Sequence, residues 1–116
     1  GVPGIMHSCG DVRQLVPGLI EAGINCLQPM EAKAGCDVLE LSDLYGDRIS
    51  FMGNMNVMVL RTNDRDAVRW EVEGKLRALR ERRVPYVFHS DHSIPPDVRY
   101  ETYRYALELY RQHATY

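Results

Sequence analysis

Four short apolar runs, each followed by a stretch of helical period, constrain this chain more than any other feature of its sequence. The runs are Gly4 to His7, Ile24 to Gln28, Ile49 to Gly53 and Tyr86 to Ser90, each bounded by turn residues. The first helical stretch takes Asp11 as N-cap, carries Val12, Leu15, Val16, Leu19 and Ile20, and stops at Gly23, although Pro17-Gly18 interrupts it. A second uses Val38, Leu39, Leu41 and Leu44 and ends at Gly46, after a loop from Pro29 to Gly35 long enough to host a site. A third follows Asn63-Asp64 with Val68, Val72, Leu76 and Leu79 on one face. The last begins after Pro95-Pro96-Asp97 and is expected to bury Tyr103, Leu107 and Tyr110.

Strand and helix alternating in this way predict an α/β fold of four βα units with parallel strands. A doubly wound sheet and a (β/α)8 barrel both fit the alternation. A complete barrel needs roughly 250 residues, so the 116 residues here amount to about half of one. Half a barrel leaves two unpaired sheet edges and one sheet face without a covering layer. The chain opens on Gly1-Val2-Pro3 without methionine and enters a strand at once, which reads as a cut upstream. The expected organisation is a single partial domain over residues 1–116.

Composition excludes more than it assigns. A formal net charge of -2 with both signs interspersed supplies no basic field for nucleic acid. The arginines at 77, 80, 82 and 83 read as a solvated helix face. No apolar stretch approaches the roughly 20 residues that a membrane span requires. Three irregularly spaced cysteines argue against a disulfide framework and for a reducing, cytoplasmic setting.

In α/β folds the reactive groups gather at the carboxyl ends of the strands, and polar residues stand there in every unit. They are His7-Ser8-Cys9-Gly10, Gln28-Pro29-Met30-Glu31, Gly53-Asn54-Met55-Asn56 and His89-Ser90-Asp91-His92-Ser93. His7 and Cys9 lie two apart, so on an extended segment they leave by one face and can grip one ion. Imidazole with thiolate suits zinc, which needs at least one more protein ligand. His92 and Glu31 are the candidates, with His89 and Cys36 behind them. Asp91 and His92 also offer a carboxylate and imidazole for acid-base work, or a pair in which Asp91 orients His92. Gln28, Asn54 and Ser90 are candidate substrate-binding groups, while Asn54 and Asn56 equally suit turns. Cys26 falls inside a strand and is expected in the core, and Met52, Met55 and Met58 are expected to pack.

Laid out in order, these pieces resemble the C-terminal half of the uroporphyrinogen-decarboxylase superfamily. The series is His7-Ser8-Cys9-Gly10, Leu19-Ile20-Glu21-Ala22-Gly23, Leu27-Gln28-Pro29-Met30-Glu31, Ala34-Gly35-Cys36-Asp37, Tyr45-Gly46-Asp47-Arg48-Ile49, Phe51-Met52-Gly53-Asn54 and Ser90-Asp91-His92-Ser93-Ile94-Pro95. The resemblance selects the barrel over the doubly wound sheet. It implies one of two chemistries: cofactor-free decarboxylation of porphyrinogen acetates, or zinc-dependent methyl transfer between a corrinoid and a thiol-type acceptor. The His-x-Cys-Gly start looks like the methyltransferase branch, which implies His7, Cys9 and a residue after the last strand as zinc ligands. That third place, usually cysteine, is matched here by His92; decarboxylases keep a substrate-contacting histidine there within Gly-His-Gly. On this reading His92, Glu31 and Asp91 are the catalytic candidates, and Glu31 is available for a fourth zinc position. The implied partners are a corrinoid protein and either a missing N-terminal half-barrel or a second copy. A catalytically inert, self-associating half-barrel is the alternative for the chain by itself.

Overall fold

A computed structural model describes residues 2–114 of the chain. The strands are β1 (Ile5–Ser8), β2 (Cys26–Pro29), β3 (Ser50–Met52) and β4 (Tyr86–Val87). They form one parallel sheet in the order β1-β2-β3-β4. A doubly wound sheet reverses its strand order at a switch point; this one runs in sequence without reversal. The helices are α1 (Val16–Glu21), α2 (Val38–Tyr45), α3 (Val57–Leu60), α4 (Arg65–Glu81) and α5 (Tyr100–His113). None of those described is long and apolar enough to cross a membrane.

The register explains which face is buried. Met6, Leu27, Phe51 and Tyr86 pair across the sheet in one row, and Leu27 and Phe51 are fully buried among Val16, Val38, Leu41 and Leu79 of the helices. Because strand side chains alternate, Ile5, His7, Gln28, Met52 and Val87 share the other face. That face is open: Ile5 is 62% exposed and Val87 47%. Cys26 sits on it yet is buried, as expected for a core position.

Helix starts follow side-chain chemistry. Asp37 accepts the Leu39 N–H at 2.9 Å, and Asp64 accepts those of Asp66 and Ala67 at 2.9 and 3.2 Å; both are N-caps. Pro17 falls in the first turn of α1, where a proline costs no hydrogen bond. Asp11 therefore is not its cap; it serves the 3-10 turn Arg13–Leu15 ahead of α1. The start signal at Pro95-Pro96-Asp97 places α5 a few residues early. It begins at Tyr100 because Asn63, from the entry to α4, accepts the Arg99 N–H and the Thr102 hydroxyl, each at 2.8 Å.

Two expectations about packing are corrected. On α5 the buried residues are Thr102, Ala106 and Leu109, while Tyr103 is 39% exposed. Small Thr102 and Ala106 face the core and turn the bulky ring of Tyr103 outward; Tyr110 stacks on Phe88 at 4.7 Å between ring centres. Leu44, expected on the apolar face of α2, is exposed, as is Met58. Short α3, which the periodicity does not reveal, is capped by Asn56 through the Met58 N–H at 2.9 Å.

Candidate functional site

His7 and Gln28 lie opposite each other in the β1-β2 register on the open face. The imidazole Nδ1 donates to Gln28 Oε1 at 2.8 Å, because an amide oxygen can only accept. That bond fixes the tautomer and leaves the Nε2 lone pair free to face Cys9 Sγ at 3.7 Å. Gln28, expected to bind substrate, is thus engaged in orienting His7. Cys9 is exposed. The neighbouring Glu31 carboxyl, with some desolvation, holds the thiol above its ordinary range.

Glu31 comes from the loop after β2, and that loop is held by Asn54. Fully buried at a φ of 66°, Asn54 donates from Nδ2 to the carbonyls of Met30 and Cys36 at 2.7 and 2.8 Å. Its Oδ1 accepts the Val38 N–H at 3.1 Å. Every polar atom of the side chain is engaged with backbone, so it has none left for a substrate, and the expectation that Asn54 binds one is corrected. Helix α4 supports the same turn: Lys75 Nζ donates to the Asn54 carbonyl, and Glu71 accepts the Asn56 N–H at 3.2 Å. Cys36 is buried with its Sγ toward Gly10 O and Asp11 Oδ1 at 3.6 and 3.8 Å. Burial pushes its thiol up.

The loop after β4 completes the site. Asp91 is fully buried; Oδ2 accepts the Ala32 N–H and Oδ1 the Val57 N–H, both at 2.9 Å. Its carboxylate is spent on backbone amides rather than on His92. The Ser90 hydroxyl donates to the His92 carbonyl, and His89 Nδ1 donates to the Ser90 carbonyl at 2.6 Å. His92 is exposed, its Nδ1 3.4 Å from the Ser93 carbonyl. A cavity of about 520 Å³ is lined by His7, Cys9 and Gln28 together with Ser90, Asp91 and His92. Its apolar wall includes Phe88, Ile94, Tyr103 and Leu107. Tyr103 and Leu107 carried a signal in the sequence, as large apolar residues on α5, but it read as packing.

Next to Cys9 and Gly10, Asp11 takes three hydrogen bonds from Arg13: Nε at 2.8 Å, Nη2 at 2.6 Å and the backbone N–H at 3.1 Å. The guanidinium, followed by the backbone N–H, holds the carboxyl down at about 2 against its ordinary 3.8. A folded-state value below the unfolded one means that the contribution to stability is complete above 3.8 and is lost as pH falls through about 2. Carbon NMR of the side-chain carboxyl is expected to give a midpoint near 2 that Arg13→Ala moves up toward the ordinary range; an unchanged midpoint would rule out the guanidinium as its cause.

Bond lengths near 2.05 Å to nitrogen and 2.3 Å to sulfur at a tetrahedral centre require an N···S separation of about 3.6 Å. The His7–Cys9 pair at 3.7 Å meets that, and the Gln28 contact is the outer bond that a metal-binding histidine makes. The full set is not assembled: among the described residues, no three His, Cys, Asp or Glu side chains converge on one point as ligands. His92 reaches the same cavity without joining the pair.

A search of curated proteins finds no match to the chain. The sequence profile of the family described as uroporphyrinogen decarboxylase (URO-D) matches residues 1–113. With this match over nearly its whole length, the chain belongs to the uroporphyrinogen decarboxylase family.

Proposed function

We propose that the chain carries the thiol-binding zinc site of an enzyme that transfers a methyl group from a corrinoid to a thiol-type acceptor. The observation that carries this reading is the His7–Cys9 pair, with Nδ1 tied to Gln28 and Nε2 facing sulfur at zinc-compatible separation. His7 and Cys9 would hold the metal, His92 would supply the third ligand from the cavity rim, and the acceptor thiol would take the fourth position in exchange for Glu31. When bound, zinc supplies Lewis acidity that lowers the pKa of an acceptor thiol. The chain's own part is to orient and to move a proton. Gln28 keeps the His7 Nε2 lone pair aimed at the site, and the proton that Cys9 gives up on binding metal leaves to solvent, to which its side chain is exposed. The apolar wall around Phe88 and Leu107 keeps water from the acceptor. In the intact protein, a methylated corrinoid offered with a small thiol is expected to lose its methyl group in a zinc-dependent reaction that Cys9→Ser abolishes. Equal demethylation by Cys9→Ser would overturn the proposal.

A second reading is decarboxylation of porphyrinogen acetates, favoured by the exposure of His92 at the cavity rim, where a substrate carboxylate could meet it. It requires the intact protein to bind a polycarboxylated tetrapyrrole, with affinity falling at least tenfold in His92→Ala. Under either reading, the open sheet face bearing Ile5 and Val87 is the inner surface of a half-barrel, completed by four further βα units. Light scattering of the chain alone is expected to report self-association; a cooperatively melting monomer would contradict that completion.

A further inference from the structure

The cavity that holds His7 and Cys9 reaches the hydrophobic core packed between α4 and α5. Met55, Val72 and Ala106, each at most 2% exposed, belong to its lining. Phe88 stands in the wall with its ring stacked on Tyr110, the planes 17° apart, which holds it as a flat apolar surface. Tyr103 and Leu107, one turn apart on α5, and Ile94 continue that wall. Tyr103 and Ile94 are still 39% and 38% exposed. Large apolar groups left partly in water around a cavity gain free energy when a ligand covers them.

Volume decides the size of what enters. The cavity, about 520 Å³, exceeds the roughly 150 Å³ in which an apolar protein cavity takes up benzene, so a ring with a short side chain fits. Charge decides the rest. Among the described residues that line it there is no lysine or arginine, and the one carboxylate, Asp91, spends both oxygens on the Ala32 and Val57 N–H groups. An anionic ligand would give up its water against these walls without a counter-charge, which is costly. We propose that the cavity takes an uncharged ligand with an aromatic body, and that Tyr103 and Leu107 select it. That the reactive group of this ligand is a thiol rests on the zinc-site reading above, whereas the selection for an uncharged ring does not.

The test is calorimetric titration of the intact protein with benzyl alcohol and with benzoate, with a chelator present and at a pH of about 8, where an ordinary imidazole is neutral. Benzyl alcohol is expected to bind, and benzoate to bind roughly tenfold more weakly or worse. Tyr103→Ala, at a partly exposed position, is expected to weaken benzyl alcohol several-fold. Leu107→Arg places a cation in the wall and is expected to invert the preference, so that benzoate binds more tightly than benzyl alcohol. Failure of benzyl alcohol to bind, equal affinity for the two ligands, native affinity in Tyr103→Ala, or an unchanged preference in Leu107→Arg protein with native circular dichroism would overturn the proposal. The zinc site is read apart from this: in zinc-loaded protein, phenylmethanethiol is expected to bind roughly tenfold more tightly than benzyl alcohol. Lack of that gain counts against the zinc site alone, because the comparison of benzyl alcohol with benzoate involves neither sulfur nor metal.

Discussion

Asn54→Ala is expected to lower the unfolding free energy of the chain by about 3–5 kcal/mol, measured by urea denaturation. The side chain makes three hydrogen bonds to backbone groups of a loop 16 to 24 residues earlier, and it is fully buried. Truncation leaves the Met30 and Cys36 carbonyls and the Val38 N–H without partners where water does not reach, and each such group costs about 1–3 kcal/mol. Partial relaxation of the loop recovers some of that sum. Asn54→Asp is expected to be no better, because a carboxylate would face two carbonyl oxygens. A loss below about 1 kcal/mol for Asn54→Ala would show that the bracket does not hold the Glu31 loop.

Gly53→Ala is expected to cost a similar amount, about 3–6 kcal/mol, from two causes that add. Gly53 has a φ of 119°, a conformation that side chains strongly disfavour. A Cβ there would also run into the Pro29 carbonyl oxygen, with the Pro29 C and Cα atoms 3.0 Å away. Those atoms are backbone at the end of β2, so they cannot swing aside. The clash would push apart the ends of β2 and β3, which carry Gln28 on one side and Asn54 on the other. Thermal melting monitored by circular dichroism reads the effect; a melting temperature within a degree or two of the native value would contradict the close approach.

The same residues show what a sequence can reveal. The four strands are legible as short apolar runs bounded by turn residues, and the three longer helices because burial on one face imposes a period of 3.6, as Val68, Val72, Leu76 and Leu79 do on α4. Helix α3 is not, since four residues are too few to show a period and its N-cap Asn56 stands in a Met-rich run. The inward face of α5 is misjudged by one position because ring size suggests burial, whereas close packing on α4 selects Thr102 and Ala106. Asn54 after Gly53 is readable as a turn with a positive φ. Its three bonds to a distant loop are a tertiary fact that spacing along the chain does not encode.

The candidate site divides along the same line. His7 and Cys9 are readable as a pair because i and i+2 on a strand share a face. The pairing of His7 with Gln28 depends on the β1-β2 register, which no local pattern states. Asp91 beside His92 suggests a chemical pair, but its burial and its bonds to Ala32 and Val57 make it an anchor between loops. The place of His92 at the cavity depends on the path of the loop after β4, which its neighbours in sequence do not state.

The central claim, a zinc site founded on His7 and Cys9, is tested most directly by metal analysis of the purified intact protein alongside Cys9→Ser and His7→Ala. The account predicts about one zinc per chain in the native protein and near zero in both variants, as expected when a site loses one of its few ligands. Zinc near zero in the native protein, or a content unchanged by Cys9→Ser, would contradict it.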